Sequence, residues 1–218
     1  MIERSRPPAR SPGAIGVVLV ALPVVFLVMP SVTRLVTLAA GKPPADAGDV
    51  AFSEHAAVGL SHVVLGLVMA LLVPLQLSAR VRTLWPRVHR ACGWTFVLAA
   101  SVTVASGLVM NVVFPPVGGI AKQIAIVVTG LGFVASLGLS VRAILRRDVA
   151  SHRAFVLRSL AFGLAGGTAA VVLFPYFLVF GQPSDTVVAL GRWLSLLVDV
   201  AIVELVVLRR AAPRMVLG

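Results

Sequence analysis

Two short stretches of this sequence repeat one another, and each separates two long apolar segments. The first is Leu-Ser-Ala-Arg at residues 77–80, followed by His-Arg-Ala at residues 89–91. The second is Leu-Ser-Val-Arg at residues 139–142, followed by His-Arg-Ala at residues 152–154. The offset between the copies is 62 residues at the serine and 63 residues at the histidine. The pattern predicts a two-helix hairpin that occurs twice, and chance similarity between two apolar hairpins is the alternative.

The composition places most of the chain in lipid. Of its 218 residues, 59% are hydrophobic and only 12% are charged, whereas a soluble domain carries about 25% charged residues. The apolar residues lie in long runs, which is typical of a polytopic helical membrane protein. A net charge of +11 suggests nucleic acid as a partner for a soluble protein. Here the cations cluster at the ends of apolar segments, so we expect no nucleic-acid binding.

Six apolar segments are long enough to cross a bilayer. The expected fold class is therefore all-α, an integral membrane helical bundle with the hairpin repeat inside it. We expect one transmembrane domain over residues 14–210, between a basic tail (1–13) and a second tail (211–218). A cleaved signal peptide is the alternative for the first segment, but the segment exceeds the usual apolar core of 7–15 residues. The predicted spans are residues 14–38, 56–77, 93–113, 120–144, 154–180 and 187–208.

The distribution of cations predicts the orientation. Six spans put both termini on one side, and cytoplasmic segments carry the Lys/Arg excess. With the termini in the cytoplasm, 15 of the 19 arginines and lysines lie on that side. The bilayer itself is then a partner, and anionic lipid head groups are expected at the arginine-rich turns. The four exceptions are Arg34, Lys42, Lys122 and Arg192.

Histidines are the leading candidates for chemistry, because imidazole binds haem iron, copper and zinc. His89 and His152 begin the third and fifth spans at matching depth, so together they could hold one haem iron or one metal ion. Because the chain has no Cys-x-x-Cys-His motif, any haem would be bound non-covalently, as haem b. In the alternative interpretation, each histidine and the arginine after it (Arg90, Arg153) contact only lipid phosphate.

His55 and His62 form a second candidate pair. They are seven residues apart in the second span, so two helical turns place them on one face, about 10 Å apart. His62 lies deeper in the membrane, where an ionisable side chain is a functional hypothesis by default. A neutral histidine bonded inside the bundle is the alternative for His62, and an interfacial polar residue is the alternative for His55.

Three further polar residues lie in or near the spans. Asp199 lies near the middle of the sixth span, where a carboxylate is costly unless it is paired, protonated or hydrated. Arg158, early in the fifth span, is its expected partner, while Glu204 is expected to extend toward Arg209. Gln76 precedes the first arginine-rich turn and is expected to bond backbone at the helix end.

The junctions resemble a bacterial family of predicted multi-pass membrane proteins defined by a domain of unknown function. The resemblance covers about residues 50–165 and implies the bacterial cytoplasmic membrane, without implying any activity. It rests on His55, His62, Gln76, Arg80, the Arg87-Val-His89-Arg90-x-x-Gly93 motif, Arg142 and the His152-Arg153-x-x-x-x-Arg158-Ser159 motif.

A weaker likeness is to four-helix di-haem cytochromes of the ferric-reductase type. Those proteins pair histidines on facing helices at two depths. Here the region that would face His62, residues 123–126, contains no histidine. The likeness therefore implies at most one haem site, between His89 and His152.

Three functional hypotheses follow, and the sequence leaves open whether the protein is an enzyme. The first is a redox or cofactor-handling membrane protein built on His89 and His152. The second is a small proton-coupled transporter in which His62 and Asp199 titrate. The third is a non-catalytic membrane assembly protein whose arginines bind anionic lipid. A membrane redox partner or a second copy of the chain is a further expected partner, since the Gly/Ala-rich fifth span permits close helix packing.

Overall fold

The computed structural model describes residues 14–43, 47–114 and 118–211. Within these ranges the chain forms eight helices and no strand. Both tails expected from the sequence, apart from residue 211, lie outside the described residues. The helices are α1 (Ala14–Ala39), α2 (Ala47–Glu54), α3 (Ala56–Leu77), α4 (Ala79–Leu84), α5 (Pro86–Val113), α6 (Gly119–Leu145), α7 (Val149–Phe180) and α8 (Asp185–Ala211).

Six of these helices are long and apolar enough to cross a membrane: α1, α3, α5, α6, α7 and α8. The all-α, six-span architecture is thereby confirmed. The third and fifth spans begin earlier than the hydropathy suggested, at Pro86 and Val149. A proline at the first helical position favours an early start, and the Asp148 side chain caps α7. As a result, His89 and His152 are each the fourth residue of their helix.

In both copies of the repeat the histidine lies in the first turn of a helix, but the serine occupies a different structural position in each copy. Ser78 ends α3 and caps the short helix α4, its Oγ accepting a hydrogen bond from the Val81 N–H at 3.2 Å. Ser140 instead lies inside α6, which continues to Leu145. The first arginine-rich junction therefore contains an extra helical turn, and the second is a tight turn.

The four middle spans, α3, α5, α6 and α7, enclose the apolar core. Its centre is Ala100 of α5 with Phe133 and Leu137 of α6. Side chains from α3 and α7, including Met69 and Phe162, pack against this centre. Helix α8 packs on α7 and α6, and α1 packs on α7. The polar groups discussed below lie at the ends of this core or beside it.

Helix α1 approaches α7 at a glycine. A Cβ on Gly167 would overlap the carbonyl oxygen of Pro23 and lie 3.0 Å from Leu27 Cγ. Further along, the rings of Phe26 and Phe174 meet edge to face, with centroids 5.3 Å apart. Close approach at small residues is the usual way in which membrane helices pack. Gly167 therefore sets the distance between α1 and the bundle.

We predict that Gly167→Ala lowers stability, because the new methyl group meets backbone atoms that cannot turn away. Overpacking of this kind costs about 1–3 kcal/mol. The measurement is the thermal unfolding midpoint in detergent, followed by tryptophan fluorescence. Gly138→Ala is the matched control, since nothing lies within 4 Å of its new Cβ, and it should leave the midpoint equal or higher. Equal destabilisation by both variants would contradict the packing role of Gly167.

Candidate histidine site at the arginine-rich end

His152 is held in one orientation by the preceding helix. Its Nδ1 lies 3.1 Å from the carbonyl oxygen of Ser140 and 2.9 Å from the Ser140 Oγ. A carbonyl oxygen only accepts hydrogen bonds, so Nδ1 donates to it. In the neutral imidazole the lone pair is then on Nε2. Hydrogen bonds of this kind orient metal-binding histidines, and Ser140 is itself fully buried.

His89 lies close enough to His152 for their charges to interact, and it interacts in the same way with Arg82. The Nδ1 atom of His89 is buried and has no hydrogen-bond partner among the described residues. A buried polar atom without a partner costs about 1–3 kcal/mol. The Gln76 side chain donates to the carbonyl oxygen of His89 at 3.1 Å, and this bond ties the start of α5 to the end of α3.

The start of α7 is fixed by an aspartate cap. The Asp148 carboxylate accepts a hydrogen bond from the Ser151 N–H at 3.0 Å, and the backbone N–H of His152 bonds to the Asp148 carbonyl oxygen at 3.0 Å. Hydrogen bonds from the Ser151 side chain and backbone hold the pKa of Asp148 below its ordinary value. Arg147, just before the cap, has a positive φ of 61°. This turn determines where the imidazole of His152 lies.

Arginines lie near the two histidines in the sequence, and Arg82 interacts electrostatically with His89. We call this part of the molecule the arginine-rich end, and Arg90 and Arg153, which follow the histidines, are exposed there. Guanidinium groups bind phosphate and carboxylate through paired hydrogen bonds. The end can therefore receive an anionic group beside the histidines. Its arginines are Arg80, Arg82, Arg87, Arg90, Arg142 and Arg153.

His62 lies far from this end. Its Nδ1 is 2.8 Å from the carbonyl oxygen of Thr103, and Ser106 Oγ is 3.4 Å from the same nitrogen. The ring packs against Gly107, where a Cβ would lie 2.8 Å from the imidazole. Fourteen residues of α3 separate His62 from Gln76, which is about 21 Å along a helix. His62 is thus a bonded histidine between α3 and α5, remote from His89.

His55 lies at the same far end and is exposed. Its ring centroid is 6.4 Å from that of Phe114, at the end of α5. His62 thus contacts α5, whereas His55 precedes the first residue of α3 and lies beside the residue that ends α5. The structure brings neither of them to the His89–His152 site.

The expected pairing of Arg158 with Asp199 is wrong. Arg158 donates two hydrogen bonds to Glu204, at 2.6 and 2.8 Å. The expected contact of Glu204 with Arg209 concerns a side chain outside the described part of the chain. Asp199 instead accepts a hydrogen bond from Thr168 at 3.2 Å. Arg158 reaches Glu204 because Glu204 follows Asp199 by five residues on α8. The helix rise therefore places Glu204 about 7.5 Å closer than Asp199 to the arginine-rich end.

Sequence reasoning missed two residues that the structure places inside the bundle. Arg192 was expected at the membrane boundary, yet its Nε is buried against α7. Ser195 is 1% exposed, and its hydroxyl has no partner among the described residues. The signal available in the sequence was spacing, because Arg192, Ser195 and Asp199 share one face of α8.

No group of three or more His, Cys, Asp or Glu side chains in the described ranges is arranged to hold a metal ion. Among the described residues, His89 and His152 are therefore not joined by a third side chain of these types that could complete a metal site.

We predict that Asp148→Ala lowers the unfolding midpoint at neutral pH, because α7 loses its cap. The sign of the pH dependence follows from the lowered pKa. The stabilisation is complete above the ordinary aspartate pKa of 3.8 and is lost as the pH falls through the lower folded value. The measurement is the unfolding midpoint against pH for both proteins. The curves should converge in acid, and Asp148→Asn, which still caps, should stay near the parent at neutral pH. A difference that persists unchanged into acid would contradict this account.

Comparison with known proteins gives a family and no closer relative. A family model described as "Predicted membrane protein (DUF2306)" matches residues 59–207. No curated protein and no solved structure matches the chain. The matched region runs from early in α3 to near the end of α8 and so includes five of the six spans. The chain belongs to the DUF2306 family of predicted membrane proteins.

Proposed function

We propose that His89 and His152 together bind one haem iron or transition-metal ion, making this a redox or cofactor-handling membrane protein. One observation carries the proposal: a buried, unpartnered imidazole nitrogen of His89 lies within electrostatic range of His152. The Nε2 lone pair of His152 is free because its Nδ1 donates to Ser140. The two imidazoles thus lie within electrostatic range of each other where two helices begin.

The number of protein ligands favours haem over a free ion. A zinc or copper site usually takes three or four protein ligands, whereas a porphyrin supplies four nitrogens of its own and needs fewer protein ligands. His89 and His152 would be those ligands. When bound, haem would supply one-electron transfer. The nearby arginines would pair with its propionates, in the way that guanidinium pairs with any carboxylate.

The roles of the chain's own residues follow from their contacts. Ser140 orients the His152 ring, Gln76 anchors the backbone at His89, and Asp148 fixes the first turn of α7. The phenylalanine-rich core between the four middle helices separates this site from the opposite end. A bound group would therefore sit at one end of the bundle and exchange electrons on that side.

The proposed orientation puts the arginine-rich end in the cytoplasm of a bacterial cell. It rests on the Lys/Arg bias, with 15 of 19 cations on one side. Both termini would then be cytoplasmic, as tails of a single transmembrane domain. The exposed arginines would bind anionic lipid head groups when no other anion occupies them.

In the transporter hypothesis both His62 and Asp199 titrate. His62 bonds between α3 and α5, and Asp199 bonds to Thr168 between α8 and α7. The two groups belong to different helix pairs, so they do not form one titrating centre. If the protein binds neither haem nor a metal ion, the assembly-protein hypothesis remains.

The test is a reduced-minus-oxidised absorption spectrum of the protein purified in mild detergent, with metal analysis of the same sample. We expect a haem band that is lost in His89→Ala and in His152→Ala. In Ser140→Ala the band should persist, because the main-chain carbonyl oxygen that accepts from His152 Nδ1 is kept. Metal without a haem band would identify a free ion as the ligand.

His55→Ala and His62→Ala are the matched controls, since they remove the same side chain at the opposite end. Both should keep the band if their unfolding midpoints match the parent. A protein that binds neither metal nor added haem contradicts the proposal. So does a haem band that survives in both His89→Ala and His152→Ala.

A further inference from the structure

A groove lies between the start of α6 and the start of α8, at the end of the bundle opposite the arginines. It encloses about 330 Å³ and is lined almost entirely by apolar atoms. Pockets that bind small molecules have volumes of about 300–1,000 Å³. Residues 118–121 line one side of the groove, and α8 lines the other from Asp185 to Trp193. These eight residue steps along α8 correspond to about 12 Å. We call this space the α6–α8 groove.

The shape of the groove is set by contacts between the two helices. Gly118 has a φ of 87°, which favours glycine, and a Cβ there would lie 2.9 Å from Val188 Cγ1 of α8. Trp193 is the deepest lining residue on α8. Its indole N–H donates to the carbonyl oxygen of Ala121 at 3.0 Å, and this bond holds the ring between the two helices. The groove is therefore part of the packing of α6 against α8.

The groove opens sideways toward the lipid. Both helices that form it are membrane spans, and they begin at Gly119 and Asp185, so its mouth lies near the membrane surface. Ile120 and Leu190, one on each helix, line it and are 70% and 64% exposed. An apolar space that faces hydrocarbon at this depth fits the acyl chain of a lipid better than any polar ligand.

The mouth of the groove carries one negative and one positive side chain. Asp185 is exposed, and its Oδ1 accepts a hydrogen bond from the Gly118 N–H at 2.7 Å. A carboxylate accepts through both oxygens, so Oδ2 can accept from a further donor. The Lys122 side chain folds over Gly118, since a Cβ there would lie 2.7 Å from Lys122 Cδ. Its charge interacts with that of Asp185. The two charges beside an apolar space complement a zwitterionic lipid head group.

We propose that the α6–α8 groove binds one molecule of phosphatidylethanolamine from the adjoining leaflet. One acyl chain lies in the groove against Trp193, the primary ammonium donates to Asp185, and the phosphate pairs with Lys122. Phosphatidylcholine has the same phosphate and the same net charge, but its quaternary ammonium has no N–H to donate. The site therefore selects a head group with a primary amine.

This lipid site is separate from the His89–His152 proposal and from the lipid contacts expected at the arginine-rich end. It uses none of the histidines and lies at the opposite end of the bundle. The arginines select negative charge, whereas the groove selects a zwitterion with a hydrogen-bond donor. Failure of either proposal leaves the other standing.

The selectivity is tested by native mass spectrometry of the delipidated full chain in detergent, titrated with either lipid carrying identical acyl chains. The parent protein should bind phosphatidylethanolamine about tenfold more tightly than phosphatidylcholine, because a hydrogen bond between charged groups is worth about that factor. Equal affinity for the two lipids overturns the proposal.

The role of the carboxylate is tested with Asp185→Asn. This variant keeps an oxygen that can accept from the Gly118 N–H, so the starts of α6 and α8 stay joined, but it lacks the charge. It should lose the preference for phosphatidylethanolamine. A preference that survives in Asp185→Asn overturns the assignment of the head group.

The role of the groove itself is tested with Ala121→Phe. Residue 121 is exposed, so the larger side chain fills the groove from its open side, and the carbonyl oxygen that Trp193 uses is retained. Both lipids should bind at least about tenfold more weakly, because the apolar surface that the acyl chain covers is lost. Ala135→Phe is the matched control, since Ala135 is an exposed alanine of the same helix, about 21 Å closer to the arginine-rich end.

The control should bind both lipids as the parent does. Affinity unchanged by Ala121→Phe overturns the proposal. So does a parent protein that is a dimer and becomes a monomer in Ala121→Phe, because the groove would then hold a second copy of the chain.

The position of the lipid is tested on the unmodified chain, which removes any doubt about the folding of a variant. A phosphatidylethanolamine with a diazirine in one acyl chain is bound and activated by light, and the labelled peptides are mapped. Labels should concentrate on residues 118–121 and 185–193. Unlabelled phosphatidylethanolamine should compete for them better than phosphatidylcholine. Labels spread evenly over the six spans overturn the site.

Discussion

The bilayer interior cannot form hydrogen bonds with the protein, and this constraint shapes every polar contact inside the bundle. Each polar side chain on the six spans has to find a partner on a neighbouring helix. Most of them do: His62 bonds to Thr103, and Arg158 bonds to Glu204. Helix pairing therefore follows the polar contacts as much as the apolar ones. The few buried atoms left without partners are conspicuous for the same reason.

Those unpartnered atoms fall into two places that differ in chemistry. At the arginine-rich end, the buried Nδ1 of His89 lies within electrostatic range of His152 and Arg82. Along α8, Arg192 and Asp199 place opposite charges in an apolar setting. The apolar core around Phe133 separates the histidine site from the opposite end of the bundle. The two groups lie at different depths of the bundle, although both use residues of α7.

Much of the fold could be predicted from the sequence, because long apolar runs and clustered arginines are strong, local signals. The positions of His89 and His152 at two helix starts could also be predicted, since the repeat places them in register. The partner of Asp199 could not. That choice depends on the stagger between α7 and α8, and one turn of stagger decides whether Arg158 reaches Asp199 or Glu204. The burial of Arg192 was hidden for a similar reason, because it depends on the room that Gly166 leaves on another helix.

The measurement that tests the central claim most directly is the spin state of ferric haem bound to the purified protein, read by electron paramagnetic resonance. The account predicts a low-spin iron, since His89 and His152 would both bind it. Removing either His89 or His152 should convert the signal to high spin. A high-spin signal in the parent protein, or a low-spin signal that survives the loss of one of these histidines, would contradict a shared iron site.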